Sequence, residues 1–260
     1  MNSNEYLVQI LNKYSAKDLT SYSYDISNLK SLLRSWASSC YLDILDSGSR
    51  AKGTAICLAS DVDYLVSLSN CCNENSGGLG SIYNSLYEKL TSKYYNVRKQ
   101  NVSFRINIRG LEVDVTPGRK YSGNSNYHSL FVSKRNTWQQ TNIQTHINDV
   151  SQSGRLNEIK LLKIWRELHN LSFPSVYMEY LVIKNILSGR STNSSYLADN
   201  FLHILSELSK NIGNPLYSRI VDPSNTNNVL SDLLTSTEKL NIFNQAKASF
   251  NQQYWRNILW

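Results

Sequence analysis

No stretch of this 260-residue chain approaches the roughly 20 consecutive apolar residues that a membrane-crossing helix needs. Residues Met1 to Ser15 lack a basic segment followed by an apolar run, so no secretory signal is read there. Proline is scarce, at 4 residues, while apolar residues reach 41%, which excludes a disordered chain and points to an ordered globular one. The four cysteines, Cys40, Cys57, Cys71 and Cys72, have neither zinc-ligand nor disulfide-framework spacing, and the adjacent Cys71–Cys72 pair is poor geometry for a bridge. Reduced thiols in a soluble, cytoplasmic protein are therefore expected. Charge is sparse too: charged residues make up 18%, with no Lys/Arg run resembling a basic arm. The net charge of +7 favours an anionic partner, but a nucleotide cleft and a nucleic-acid surface give the same sign. The length allows one large domain or two lobes that each bury a core.

The periodicity changes along the chain. Tyr6, Leu7, Ile10 and Leu11 fit a short helix; Ile26, Leu29, Leu32, Leu33 and Trp36 fit a longer one that Asp25 is placed to cap. Residues 41–46 read as a strand ending in Ser47-Gly48-Ser49, and 62–68 as a second strand. A helix over 82–93 carries Ile82, Leu86 and Leu90 on one face. Val102 to Ile108 alternates, Arg109-Gly110 turns, and Leu111 to Val115 alternates again, which predicts a β-hairpin whose second strand ends at Thr116-Pro117-Gly118. From about residue 141 the pattern is helical, with candidates over 141–150, 155–170, 174–188, 196–210, 227–234 and 236–253. Strands early and helices late make this an α+β fold with a helical lobe behind a catalytic one.

Asp61-Val62-Asp63 places two carboxylates on one side of a strand. Carboxylates that close repel unless a cation sits between them, and Mg²⁺ takes oxygen ligands of this kind. Asp114, between Val113 and Val115 on the hairpin, supplies a third if the strands lie side by side, with Glu112 as its competitor. Three such carboxylates suit two ions, one for an attacking hydroxyl and one for a leaving pyrophosphate. Upstream, Gly48 and Ser49 follow a strand where a helix can begin, an arrangement that lets backbone amides approach a phosphate.

The strand, the Gly-Ser pair, the Asp-x-Asp and the later single Asp together resemble the polymerase-β-like nucleotidyltransferases. Gly48 to Ile56 with Ser60 to Val66 is similar to the bacterial CD-NTase branch of that superfamily, the relatives of cyclic GMP–AMP synthase and oligoadenylate synthase. Three further stretches agree with the branch: Trp138 to His146 (where Ile143 replaces the usual proline), Leu161 to Trp165, and Asp222 to Asn228. The matches run from about residue 45 to 232.

The resemblance implies a nucleotidyltransferase lobe over 1–135, with a mixed sheet, flanking helices and the N-terminal helices. A helical lobe over 136–260 would follow, with the active site in the cleft between the two. It implies that Asp61, Asp63 and Asp114 hold two Mg²⁺ ions (Mn²⁺ as a substitute) and that Gly48 and Ser49 grip the donor triphosphate. Lys163 and Ser175 would hold that triphosphate from the helical lobe. Relatives place a base-stacking aromatic directly after this serine; here Val176 stands there and Tyr177 one place later, so Tyr177 is the candidate base contact. Asp222 is a further candidate nucleotide contact. The implied function is a bacterial signal-nucleotide synthase that joins NTPs into a cyclic or short linear oligonucleotide in CBASS-type anti-phage defence, with a separate effector reading the product. Two alternatives remain: transfer to an RNA 3′ end, and a catalytically silent nucleotide sensor. The scattered basic residues do not indicate a nucleic-acid partner, and no membrane partner is expected.

Overall fold

The computed structural model describes residues 2–59, 62–72, 78–123 and 125–260. They form two compact units that interleave along the chain. One holds Ala16–Lys52 and Ser60–Ile147; the other holds Met1–Ser15, Gly53–Ala59 and Asn148–Trp260.

In chain order the elements begin with α1 (Ser3–Lys13), which starts at a capping box between Asn2 and Glu5. Then come α2 (Ser23–Ala37), β1 (Tyr41–Ser47), the single turn α3 (Gly48–Ala51), β2 (Val62–Leu68) and α4 (Gly78–Thr91). The short β3 (Arg98–Lys99) precedes β4 (Phe104–Ile108), β5 (Leu111–Lys120), β6 (His128–Val132) and β7 (Thr137–Thr141). The later elements are α5 (Ile143–Ser151), α6 (Leu156–Leu168), α7 (Ser175–Tyr180), α8 (Leu197–Leu208), the hairpin β8 (Val221–Asp222) and β9 (Asn225–Val229), and α9 (Ser236–Phe250).

The first unit is built on a mixed sheet in the order β1-β2-β5-β4-β3, with β6 on β5 and β7 on β6. Only β2 and β5 pair in parallel among these contacts; the other pairs are antiparallel. Alternation sorts the side chains. Val62, Tyr64, Val66, Phe104, Ile106, Val113 and Val115 bury one face against Leu29 and Leu33 of α2 and Ile82 and Leu86 of α4. Each such side chain contributes about 1.5–3 kcal/mol through burial. The opposite face carries Asp63 and Asp114. The two-residue turn at Arg109 (φ 51°) and Gly110 (φ 91°) has positive φ at both positions, as a tight hairpin requires.

Several expectations are corrected here. β5 does not end at Thr116–Gly118 but runs to Lys120, in parallel register with β2 through Val66↔Pro117 and Leu68↔Arg119. Pro117 is tolerated because β4 pairs only as far as Val115 and β6 begins at Arg119, so no ladder on that side needs its missing N–H. The 227–234 segment is β9 followed by a short 3-10 turn, not a helix. Asp25 lies in the first turn of α2 and faces Arg109 at 3.5 Å instead of capping. Cys40 and Cys72 are disulfide-bonded, with Cα atoms 5.5 Å apart, in place of two of the four expected thiols. The pairing of β1 with β2 brings their ends together, and Ser69 N–H donates to the Cys40 carbonyl at 2.8 Å.

The second unit is helical around a core from Leu7 and Ile10 of α1 through Ile159, Leu161, Leu162, Ile164 and Trp165 of α6 to Ile242 and Ala246 of α9. The N-terminal helix, expected with the catalytic lobe, thus buries its apolar face here. Trp165 Nε1 donates to Ser249 Oγ at 2.9 Å, which fixes it as a packing residue. α7 continues as a π-helical turn over Leu181–Ile186. α9 starts at a capping box formed by Thr235 and Glu238.

Candidate active site

In the sheet unit the register brings the expected carboxylates together. Asp63 on β2 is the direct neighbour of Asp114 on β5, and of Ser47 on β1. Adjacent strands lie ~4.8 Å apart, so the two carboxylates rise side by side from one face. Asp61 lies outside the described residues. Among those that are described, no group of three His, Cys, Asp or Glu side chains converges on a metal-sized point, and Asp61 is the expected third member.

β1 ends at Ser47 and the chain turns at Gly48, whose φ of 65° belongs to the left-handed region. This turn presses the Gly48 backbone against Asp63: a Cβ built on Gly48 would stand 2.0 Å from Asp63 Oδ2 and 2.4 Å from its Cγ. Glycine is therefore required twice, by conformation and by contact. Ser49 follows within α3, half-buried, so the Gly-Ser pair and Asp63 occupy one locality.

Asp114 is held by groups that the sequence reading missed. Arg105 grips it with a fork: Nε donates to Oδ1 at 2.8 Å and Nη2 to Oδ2 at 2.8 Å. Gln100 Nε2 adds a third donor to Oδ1 at 3.0 Å. Bidentate, charge-assisted bonds of this kind fix orientation as well as charge. The Asp114 hydrogen bond pushes the guanidinium proton affinity of Arg105 further up, with the charges of Asp114, Glu112 and Asp63 adding to it. The signal was present in the hairpin, because a two-residue turn at Arg109–Gly110 sets Arg105 opposite Asp114. Glu112, the competitor for the third carboxylate, lies opposite Asn107 and pairs with Arg98 at 2.8 Å and Arg105 at 3.0 Å. Asp114, not Glu112, is the register partner of Asp63.

In the helical unit the expected nucleotide contacts are differently engaged. Lys163 is 2% exposed and donates to Glu179 Oε1 at 2.7 Å and to Thr54 Oγ1 at 2.8 Å. Its ammonium thus sits in an interior cluster with Thr54 and Glu179. Tyr177 is fully buried, donates its hydroxyl to the Leu216 carbonyl at 3.0 Å and packs beside Phe173; burial pushes its phenol up. It offers no face to a base, and that expectation is corrected too. Asp222 is buried in the β8–β9 turn, where it accepts from Ser224 N–H at 2.8 Å, Ser224 Oγ at 2.7 Å and Asn228 Nδ2 at 3.1 Å. It shapes the turn. Ser175 begins α7, half-buried, and accepts from Arg166 Nη1 at 2.9 Å.

The donor chemistry fits a hard divalent cation. Two carboxylates stand on neighbouring strands, and Asp114 Oδ2 keeps one lone pair beyond its Arg105 bond. Asp63 and Asp114 would hold such an ion.

No family model matches the chain. A curated relative, the cyclic AMP-AMP-AMP synthase of Escherichia coli (strain MS 115-1), is 24% identical over 227 residues, covering 80% of this chain and 70% of the relative. Among solved structures, E. coli MS115-1 CdnC with ATP matches at TM-score 0.70 and 21% identity, covering 98% of this chain and 96% of that one. The Bradyrhizobium diazoefficiens CD-NTase CdnG in complex with GTP matches at TM-score 0.73 and 11% identity, covering 99% and 95%. These structures share the chain's fold, and the curated relative is similar to it in sequence over 80% of its length.

Proposed function

We propose that this nucleotidyltransferase joins NTPs into a short cyclic or linear oligonucleotide and releases pyrophosphate. The observation that carries the reading is the Asp63–Asp114 register pair with the Gly48 turn packed on Asp63. The similar synthase of E. coli, named for a cyclic tri-adenylate product, supports the choice of product class.

In this reading an acceptor ribose hydroxyl attacks the α-phosphorus of a donor NTP. A new P–O bond forms, the bond to the β-phosphate oxygen breaks, and pyrophosphate leaves with the electron pair. Asp61, Asp63 and Asp114 would hold Mg²⁺, which when bound would supply charge neutralisation for the transfer. Gly48 and Ser49 bind the donor phosphates through backbone N–H and hydroxyl donors. Arg105 and Gln100 keep the Asp114 carboxylate in one orientation, so that it needs little reorganisation when charge develops. In the helical unit Lys163 holds Thr54 and Glu179, and Arg166 holds Ser175.

A role in anti-phage defence, with a separate effector reading the product in the cytoplasm, belongs to the same proposal. Among the described residues no helix is long and apolar enough to cross a membrane. The test is incubation of the purified chain with all four NTPs and Mg²⁺ or Mn²⁺, followed by mass spectrometry. A cyclic or short linear oligonucleotide is expected. Extension of a labelled RNA with no such product would replace this reading with RNA-end transfer.

A further inference from the structure

One row of side chains crosses four strands of the sheet unit. Asp63 on β2 pairs with Asp114 on β5, Asp114 with Arg105 on β4, and Arg105 with Arg98 on β3. Two acids are thus followed, strand by strand, by two arginines at a spacing of ~4.8 Å. Both arginines also reach Glu112, two residues before Asp114: Arg98 Nη2 donates to Oε1 at 2.8 Å and Arg105 Nη1 to Oε2 at 3.0 Å. The side chains of Asp114 and Arg105 are 12% and 25% exposed, so salt screens their attraction less than that of a surface pair.

The two Asp114 oxygens are not equivalent. A carboxylate oxygen has about two lone-pair sites. Oδ1 accepts from Arg105 Nε at 2.8 Å and from Gln100 Nε2 at 3.0 Å, so both of its sites are taken. Oδ2 accepts from Arg105 Nη2 at 2.8 Å and keeps one. Gln100 is itself anchored: its carbonyl accepts from Tyr83 Oη at 2.8 Å and Ser133 Oγ at 3.0 Å, and its N–H donates to the Ser103 carbonyl at 2.9 Å. A guanidinium bonded to a ligating carboxylate draws off its negative charge and repels a divalent ion. That is the reverse of the acceptor partners that raise a ligand's basicity. A carboxylate with one oxygen open binds an ion through that oxygen alone, which suits Mg²⁺ and withholds the bidentate contact that Ca²⁺ can use.

We propose that Arg105 determines the metal specificity of the transfer reaction, as a resident counter-cation of Asp114. It keeps the affinity of the nucleotide-free protein for a divalent ion low. With Gln100 it confines Asp114 to a single oxygen, which favours the smaller ion. Arg105 acts through Asp114 and is a positioning residue. The inference rests on the reading that Asp63 and Asp114 hold a divalent ion, and its test needs no turnover.

The experiment is calorimetric titration of the nucleotide-free full chain with Mn²⁺ and, separately, with Ca²⁺. The wild type is compared with Arg105→Gln, Arg105→Lys and Asp114→Asn, and circular dichroism and melting establish that each is folded. Arg105→Gln removes a unit charge beside a divalent one, so Mn²⁺ should bind at least about tenfold more tightly and Ca²⁺ should gain more. Arg105→Lys keeps the charge and gives up the fork. Mn²⁺ should then stay within about threefold of wild type while Ca²⁺ gains, and this variant carries the test if Arg105→Gln does not fold. Unchanged or weaker Mn²⁺ binding in folded Arg105→Gln overturns the inference, because the arginine would then supply orientation and not charge. A preference between Ca²⁺ and Mn²⁺ that neither Arg105 variant moves overturns it as well. Mn²⁺ binding that Asp114→Asn leaves intact, or that no protein in the series shows, overturns the metal reading itself and the inference with it.

Discussion

Replacing Gly48 with alanine separates backbone strain from site geometry. An alanine at φ 65° costs about 1–2 kcal/mol for the left-handed conformation. For a chain of this size that lowers the melting temperature by roughly 2–8 °C. The added Cβ also meets Asp63 Oδ2 at 2.0 Å, where ordinary contact begins near 3.4 Å. The carboxylate or the turn must therefore shift by more than an ångström. A displacement of that size at a reacting centre costs on the order of 100-fold in rate. Gly110→Ala provides the control: its φ is 91°, so it carries comparable strain, but nothing lies within 4 Å of its Cβ. Steady-state pyrophosphate release and thermal melting, measured on both variants, decide the matter. Gly48→Ala should lose stability modestly and turnover at least about 100-fold, while Gly110→Ala loses stability alone. Wild-type turnover in Gly48→Ala, or an equal loss in both, would refute the reasoning.

Lys163→Met removes the cation facing Glu179, and both side chains are 2% exposed or less, so a loss of about 3–5 kcal/mol is expected in urea unfolding. Adding Glu179→Leu should recover much of it; a stable Lys163→Met protein with weakened NTP binding would return the lysine to the triphosphate. Burial lowers the imidazole affinities of His128 and His169, so the unfolded chain takes up protons first. Stability should hold near neutral pH and fall as pH drops below the ordinary histidine value of about 6.5 towards the depressed folded values; His128→Gln should flatten the melting profile there, and an unchanged slope would contradict the assignment. Reducing Cys40–Cys72, 32 residues apart in sequence, should cost about 3–4 kcal/mol by loop entropy, read from unfolding curves with and without reductant.

The parts of the fold that obey a local period were legible in the sequence. The hairpin over 102–115, the strands at 41–46 and 62–68, and most helices were readable because their apolar residues recur with a local pattern. What escaped depends on neighbours. β6 and β7 went unread because Trp138 and Gln140 face outward or half-outward, which breaks the expected alternation. Pro117 looked like a strand end until the pairing showed a gap beside it. The disulfide is set by where β1 and β2 terminate, not by cysteine spacing.

The candidate site divides in the same way. Asp63, Asp114 and Gly48 follow from spacing once two strands are known to be neighbours. Arg105 follows only when the hairpin register is used, one step beyond the motif. Lys163 and Tyr177 look like ligand contacts in a linear string, yet both are interior. A lysine on a helix is normally solvated, and nothing in the helix period reveals that Glu179 and Thr54 wait to receive it.

The most direct test of the central claim compares pyrophosphate release from NTPs by the wild-type chain and by the Asp63→Asn, Asp114→Asn double variant, each titrated with Mg²⁺. The account predicts metal-dependent release by the wild type and none by the variant, with melting establishing that both are folded. Release that survives in the folded variant would contradict it.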